Sequence, residues 1–206
     1  MKFRTALNAF AALVFTTSVH ASPLVISPIA DGSLYTCTGC TTVSDGAYVT
    51  ASGYIQGTVK FSTSLIPTGF TEALLSLNPY ALPLWGPTVD IYGYGTTIGA
   101  LDVTDANAGA FLGTLTLPTG LSYGQDVYFD VSAFVASIDT PFVAFNLRSE
   151  GTNQFSSLEY NYGHPSQLLI TSVPVPSAIV FLSTGLFAVL RTRRRTHVGS
   201  FAKFAV

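Results

Sequence analysis

Residues 126–131 read Asp-Val-Tyr-Phe-Asp-Val, an alternation in which every second side chain is apolar. One face of the extended chain would carry Val127, Phe129 and Val131, and the opposite face Tyr128 and Asp130. A period of two is typical of a strand with one buried face, because successive side chains of a strand point to opposite sides. The stretch therefore predicts a β-strand that lies on a hydrophobic core.

The same short pattern returns along most of residues 22–172. Val, Thr, Tyr, Phe and Ile are frequent, Gly and Pro interrupt at short intervals, and no long segment has the 3.6-residue period of a helix. The predicted strands are 48–52, 55–62, 71–77, 89–94, 110–117, 126–131, 142–147, 154–160 and 167–172. Strands at this spacing predict an all-β fold, a single antiparallel β-sandwich of the jelly-roll kind. Residues 132–138 are predicted to form one helical turn with Ser132 as its N-cap.

The first 21 residues have the organisation of a secretory signal peptide. Lys2 and Arg4 precede an apolar stretch at 6–15, and Val19-His20-Ala21 is a small-residue cleavage site. We therefore exclude residues 1–21 from the fold and expect an exported domain that spans residues 22–172.

The segment 173–195 combines three features in a fixed order. Pro174 and Pro176 come first, the uncharged run 178–190 follows, and an arginine cluster ends the segment. The run would rise about 20 Å as a helix, less than the roughly 30 Å of a bilayer's hydrocarbon core. Arginines favour the cytoplasmic flank of such a helix. The cluster contains Arg193, Arg194 and Arg195.

This order of features resembles the PEP-CTERM sorting signal of Gram-negative bacteria. The resemblance implies an exosortase-type processing enzyme as partner and transient anchoring in the inner membrane through 173–195. It implies a final location at the cell surface or outer membrane, or outside the cell, and an association with exopolysaccharide and biofilm. Residues 196–206 are then a C-terminal extension. The alternative is an ordinary C-terminal membrane anchor.

The closing part of the domain carries a second resemblance. Its segments are D-V-Y-F-D-V-S-A-F-V (126–135), F-V-A-F-N-L-R-S (142–149), F-S-S-L-E (155–159) and P-S-Q-L-L-I-T-S (165–172). They are similar to the closing strands of DNRLRE-type jelly rolls of secreted bacterial proteins. The resemblance implies a jelly roll; some relatives are carbohydrate-binding modules, but the motifs are mostly β-sandwich packing and inform the fold far better than the ligand.

The charge of the chain is unevenly distributed. Residues 22–172 hold all eleven acidic residues but only two basic ones, Lys60 and Arg148, a formal net charge of −9. Such a domain repels polyanions, so we expect no nucleic-acid partner. Solubility outside the cell explains the acidity without any ligand.

Cys37-Thr38-Gly39-Cys40 contains the only two cysteines of the chain. In an oxidising compartment an even number of cysteines predicts a disulfide, here one that closes a very small loop. The alternatives are a redox pair, a haem attachment site or half of a zinc site. A redox pair favours a helix N-terminus, haem attachment needs a His where Thr41 stands, and zinc needs two further ligands nearby.

Three other groups are candidates for chemistry, and none forms a complete motif. His164 is the only histidine of residues 22–172 and would have to serve any Ser-His-Asp triad. Glu150 and Glu159 are candidate paired carboxylates of a polysaccharide hydrolase, if they face each other across a hairpin. Asp102, Asp105 and Asn107 offer oxygen ligands suited to Ca²⁺, although Asx-rich turns have the same composition.

Aromatic side chains give the most direct indication of a ligand. Trp85 lies in a Pro-rich segment, and Tyr92 and Tyr94 fall on the polar face of a predicted strand. Exposed flat rings stack on sugars, so these three residues are the predicted carbohydrate contacts; the alternative is that Trp85 closes one end of the sandwich. The sequence thus predicts an exported, non-enzymatic surface or matrix protein that binds carbohydrate. The alternatives are a secreted polysaccharide hydrolase and a purely structural surface protein.

Overall fold

The computed structural model describes residues 22–80, 86–122, 124–160 and 163–172. This part of the chain contains twelve β-strands and one short α-helix. These residues belong to one compact unit, Ser22–Ser172. The strands are β1 Leu24–Ile26, β2 Ala30–Cys37, β3 Cys40–Ser44, β4 Tyr48–Ala51, β5 Ile55–Ser62, β6 Phe70–Leu77, β7 Thr88–Thr96, β8 Ala110–Thr116, β9 Val127–Asp130, β10 Phe142–Arg148, β11 Asn153–Ser156 and β12 Gln167–Ser172, and the helix is α1 Ser132–Ser137.

The strands form two main antiparallel sheets. One sheet has the order β1-β12-β6-β9, the other has the order β3-β2-β5-β10-β7-β8, and β11 with β4 makes a small third sheet. Side chains of both main sheets join one hydrophobic core, among them Leu75, Ile170, Phe61 and Phe145. The last two meet edge-on with ring centres 6.2 Å apart, an arrangement that aromatic pairs prefer. The predicted antiparallel β-sandwich is confirmed at this level.

All nine predicted strands are present, and three further strands were not predicted. The largest difference in bounds concerns the predicted strand 154–160, since β11 ends at Ser156. The missed strands β1, β2 and β3 lie in residues 24–44. Of these, β2 reads Ala-Asp-Gly-Ser-Leu-Tyr-Thr-Cys and lacks a clear alternation, because the buried positions Asp31 and Ser33 are polar and are satisfied by distant partners.

The predicted helical turn is present as α1, but its cap differs from the prediction. Val131 occupies the N-cap position, and Ser132 is the first helical residue. Asp130 accepts hydrogen bonds from both the backbone N–H and the hydroxyl of Ser132, at 2.8 and 2.6 Å. The acceptor for a backbone N–H at the start of the helix is therefore the Asp130 carboxylate, one residue before the N-cap, and not the Ser132 side chain. These hydrogen bonds hold the pKa of Asp130 below its usual range.

Residues 97–109, which we call the strap, connect β7 to β8 across the outer face of the six-stranded sheet. The strap contains a 3₁₀ turn, Val103–Asp105. Its Leu101 approaches β2 so closely that a Cβ atom on Gly32, where φ is +158°, would lie 2.7 Å from the Leu101 Cδ1 atom. Because the core covers one face of β10 and the strap lies over the other, Val143 to Leu147 are all buried.

Within the described ranges, no helix is long and apolar enough to span a membrane. The predicted signal peptide 1–21 and the sorting segment 173–195, with Pro174, Pro176 and Arg193 to Arg195, lie outside the described residues, as does the extension 196–206.

Candidate functional site

Lys60 is the centre of a buried polar network between the six-stranded sheet and the strap. Its side chain is fully buried, and its Nζ lies 2.8 Å from the Asp105 carboxylate. The same Nζ donates to the backbone carbonyls of Ile98 and Ala100, at 3.2 and 2.7 Å. The ammonium group thus has three acceptors, all of them on the strap. A buried charge needs such compensation, because burial removes it from water.

Amides extend the network along the strap. The Gln56 side chain donates to Asn107 Oδ1 at 2.6 Å and accepts the Asn107 backbone N–H at 2.9 Å. Asn146, on the neighbouring strand β10, donates both to Gln56 Oε1 and to the Asp105 carbonyl, at 3.0 and 2.9 Å. Polar side chains on the outer face of the sheet therefore hold the strap in place from β5 and β10.

Tyr94 belongs to this network and not to an open binding surface. Its hydroxyl is enclosed, next to the side chains of Asp105 and Thr58. Burial and the Asp105 carboxylate raise the pKa of the Tyr94 hydroxyl far above its usual range. The structure thus places Tyr94 beneath the strap, away from the position of a sugar contact that the sequence predicted.

Tyr92 lies next to the strap and remains partly exposed. The guanidinium of Arg148 stacks on its ring, with the carbon atom 3.8 Å from the ring centre. The ring of Phe111 lies on the other side, with ring centres 5.4 Å apart and planes at 60°. Phe111 is 56% exposed, the most exposed phenylalanine in the described part of the chain. These residues, with Asp90 and Thr114, form what we call the aromatic surface.

A bulge in β8 explains why Phe111 faces outward. Ile91 pairs with Gly113 and Tyr92 with Phe111, so Leu112 is the extra residue, and it packs against the core. Gly113 has φ +155°, and a Cβ atom there would lie 3.0 Å from the Phe129 ring. A bulge changes the alternation of side chains between its two sides, and here it places Phe111 on the same face of the sheet as Tyr92.

The aromatic surface also contains polar groups. Asp90 lies opposite both Arg148 and Thr114 in the sheet, and its Oδ1 accepts a hydrogen bond from the Thr114 hydroxyl at 2.6 Å. Arg148 donates through Nη2 to the Ala108 carbonyl at 3.1 Å. Since Lys60 is fully buried, Arg148 is the one Lys or Arg of the described domain that reaches solvent.

Cys37 and Cys40 form a disulfide in the β2–β3 hairpin. The two residues pair directly across the hairpin, their Cα atoms are 5.1 Å apart, and their sulfur atoms are bonded. Gly39, with φ +80°, supplies the left-handed conformation of the turn. The pair therefore does not sit at a helix N-terminus, where a redox cysteine would be activated.

His164 contacts Asp126, and the two lie in a chain of hydrogen bonds at one end of the sandwich. Its Nε2 is 3.1 Å from Asp126 Oδ2, and its Nδ1 is 2.9 Å from the Pro165 carbonyl. Asn78 donates to Asp126 at 2.7 Å and accepts from the Ser156 hydroxyl at 3.1 Å. Neither ring nitrogen of His164 is bonded to a hydroxyl in the described residues, so this group does not form a nucleophile–base pair.

The hairpin that would have set Glu150 opposite Glu159 is not formed. Glu150 follows β10 and Glu159 follows β11, and β11 pairs with β4 instead of β10. The structure brings Glu159 near Asp31 instead, and Asp31 accepts the Leu158 N–H with both carboxylate oxygens, at 3.2 and 3.1 Å. Burial first, and the Glu159 charge second, raise the pKa of Asp31 to about 7.

The oxygens considered for calcium are engaged by protein donors. Asp102 accepts the Thr104 N–H, Asp105 accepts the Asp102 N–H and pairs with Lys60, and Asn107 bonds Gln56. In the described ranges no group of three or more His, Cys, Asp or Glu side chains is arranged to hold a metal ion.

Three further tyrosines form a separate cluster. Tyr48, Tyr80 and Tyr160 pack together, with ring centres 4.2 to 5.5 Å apart. Trp85, the third predicted sugar contact, lies outside the described residues. The alternation of 89–94 placed Asp90 on the same face as Tyr92, but sequence reasoning missed Phe111 and Thr114 as neighbours of Tyr92, because the bulge in β8 was not visible.

A scan against protein-family models and a search of curated proteins found no match for this chain.

Proposed function

We propose that this chain is an exported, non-enzymatic surface or matrix protein that binds polysaccharide through the aromatic surface. The observation that carries the proposal is the placement of Tyr92 and Phe111 side by side on the outer face of the six-stranded sheet, beside polar groups. An aromatic ring has a negative face that attracts the C–H groups of a sugar ring; Phe111, 56% exposed, offers such a face, whereas Arg148 already covers one face of Tyr92. A shallow surface on a sheet suits an extended chain, because the ligand can pass across it.

The same surface also offers the polar contacts that orient a sugar. Asp90 has one carboxylate oxygen beyond the one bonded to Thr114, and Arg148 has donors beyond the one bonded to Ala108. Apolar stacking with a few placed polar groups is the usual composition of a small-molecule or glycan site. This supports a binder over the hydrolase alternative, for which Glu150 and Glu159 lie at opposite ends of β11.

The proposal includes the jelly-roll topology. Four strands in the order β1-β12-β6-β9 and four in the order β5-β10-β7-β8 support it, with β2 and β3 added at the edge of the second sheet. Eight strands divided between two sheets are the composition of a jelly roll.

The proposal also includes sorting by the two terminal segments. The signal peptide 1–21, the Pro-Val-Pro site and the arginine cluster support export followed by processing at the surface. The Cys37–Cys40 disulfide is in keeping with an oxidising compartment.

Replacing Tyr92 or Phe111 with Ala should weaken polysaccharide binding about tenfold each, the equivalent of about 1.4 kcal/mol per ring. Affinity electrophoresis in gels that contain soluble polysaccharides measures this effect. Tyr128→Ala is the matched control, because Tyr128 is 51% exposed on the other sheet. Equal loss in all three variants would place the site elsewhere, and release of reducing sugar by the wild-type protein would favour the hydrolase.

Protein recovered from the cell surface and the medium should begin at Ser22 and end near the Pro-Val-Pro site. Intact-mass measurement locates both cleavages at once. Replacing Pro174 and Pro176 with Ala should leave insertion of 178–190 intact but block processing, so that full-length protein accumulates in the membrane. If this variant is processed like wild type, the segment is an ordinary anchor.

A further inference from the structure

We infer that the aromatic surface takes neutral, hydroxyl-rich polysaccharides and discriminates against those that carry carboxylates, through the pair formed by Arg148 and Asp90. This inference rests on the proposed function and names its ligand class. It follows from the donors and acceptors next to Tyr92 and from the distribution of charge over the domain.

Arg148 supplies the donors. Its guanidinium stacks on Tyr92, its Nη2 donates to the Ala108 carbonyl, and its Nε is buried without a partner among the described residues, so it is closed to a ligand. Among the described residues no carboxylate lies within ion-pair distance of the guanidinium, since the short contacts of carboxylates with basic side chains found there join Lys60 to Asp105 and His164 to Asp126. Arg148 is therefore held in place by stacking and a carbonyl, and the donors it keeps for a ligand oxygen are the remaining N–H groups of its Nη atoms.

Asp90 supplies the acceptor. It lies directly opposite Arg148 in the β7–β10 pairing, and side chains of directly opposed residues are about 5 Å apart at their Cβ atoms. Among the described residues it accepts one hydrogen bond, from Thr114 to Oδ1. The other oxygen, Oδ2, can accept a hydroxyl.

A sugar hydroxyl both donates and accepts, so neighbouring hydroxyls of a neutral sugar can satisfy Asp90 and Arg148 together. A sugar carboxylate only accepts. It could pair with Arg148, but it would then lie next to the Asp90 carboxylate. The site therefore fits a ligand whose groups both donate and accept hydrogen bonds, and it repels a ligand with negative charge.

The negative charge of the rest of the domain also disfavours an anionic ligand. Residues 22–172 carry a formal charge of −9, and the exposed Glu150 follows Arg148 by two residues. Charges within about 8 Å interact at physiological ionic strength, so Asp90 and Glu150 offset the attraction of the single guanidinium for an anion.

The test compares soluble neutral glucans and galactomannan with polygalacturonate and alginate, using the purified full-length protein and its Asp90→Asn and Arg148→Gln variants. We expect the wild-type protein to bind a neutral polysaccharide, with an affinity that changes by less than about twofold between 0.01 and 1 M salt, where the Debye length falls from about 30 to 3 Å. Asp90→Asn should weaken this binding about tenfold, because a charge-assisted hydrogen bond becomes a neutral one.

The Asp90→Asn variant distinguishes the two ligand classes by the sign of its effect. If the ligand is a polyuronate, the substitution removes a repulsion and binding becomes tighter; that result would overturn the inference and leave carbohydrate binding standing. Absence of binding to any of the four polysaccharide types would overturn both the inference and the proposed function. Thermal unfolding of each variant verifies that weaker binding does not result from loss of the folded structure. Asp139→Asn is the matched charge control, because Asp139 is an exposed acid away from Tyr92.

Discussion

Replacing Lys60 with Met should lower the free energy of unfolding by about 3–5 kcal/mol, the cost of leaving one partner of a buried ion pair without the other. The Asp105 carboxylate, 3% exposed, would lose its counter-charge, and the carbonyls of Ile98 and Ala100 would lose their donor. All three groups belong to the strap, so the strap should detach from the sheet before the core unfolds. Urea unfolding, together with mass analysis of protease cuts within 97–109, measures both effects.

A double variant separates the charge from the packing. Lys60→Met combined with Asp105→Asn removes both charges and keeps an acceptor for the Asp102 N–H. It should recover a large part of the lost stability, because two neutral groups cost less to bury than one unpaired charge. If Lys60→Met alone costs less than about 1 kcal/mol, the strap is held by its apolar contacts and not by the ion pair.

Strands with one buried face were the part of the fold that the sequence revealed. Val89, Ile91, Val127 and Val131 alternate with polar residues, and each is buried in the core. Their pattern is local, since it depends only on the side of the sheet that faces the core.

The strand β10 shows the limit of this reasoning. Its outward Asn146 is as buried as its inward Phe145, because the strap lies over it, with Asp105 41 residues away in the chain.

The missed strands lack that local pattern for a physical reason. In β2, Asp31 and Ser33 occupy buried positions that an apolar residue would normally fill. Their partners are the Leu158 N–H for Asp31, and the Tyr48 carbonyl and Thr50 N–H for Ser33. A buried polar residue is stable only with such partners, and partners that distant are not visible in sequence.

The candidate site was only partly predictable for the same reason. Tyr92 and Tyr94 are equivalent in the sequence pattern, two residues apart on the polar face of β7. The strap encloses Tyr94, while the bulge at Gly113 brings Phe111 to Tyr92. These effects depend on the register of β8 and on the path of residues 97–109. Neither can be predicted from the alternation of residues in β7.

Raising the pH from about 4 to about 7 should destabilise the folded domain through Asp31. Burial is the largest cause that raises the pKa of Asp31, the Leu158 N–H opposes it, and the nearby Glu159 adds a smaller increase; together they raise the pKa from 3.8 to about 7. Between these values the unfolded chain has lost the proton of Asp31 and the folded chain retains it. Stability therefore falls as pH rises through this window, at most by about 1.4 kcal/mol per pH unit, and the loss is complete above pH 7.

Asp31→Asn should remove this contribution. The amide keeps an oxygen that can accept the Leu158 N–H but cannot ionise, so its stability should change less between pH 4 and 7 than that of the wild type. Other groups titrate in both proteins, and the difference between the two urea-unfolding series isolates Asp31. Asp45→Asn, an exposed acid, is the matched control and should parallel the wild type.

Ionisation of Asp31 should affect residues 157–160 most directly. Leu158, whose N–H bonds Asp31, lies between Ser157, bonded to the Gly46 carbonyl, and Tyr160, packed on Tyr48 and Tyr80. Ionised Asp31 is costly in its buried position beside Glu159, so residues 157–160 should open more often at pH 7.5 than at pH 5. Hydrogen exchange of the Leu158 amide, corrected for the intrinsic effect of pH, should show lower protection at the higher pH in the wild type only. Equal protection at both pH values would mean that Asp31 does not control this segment.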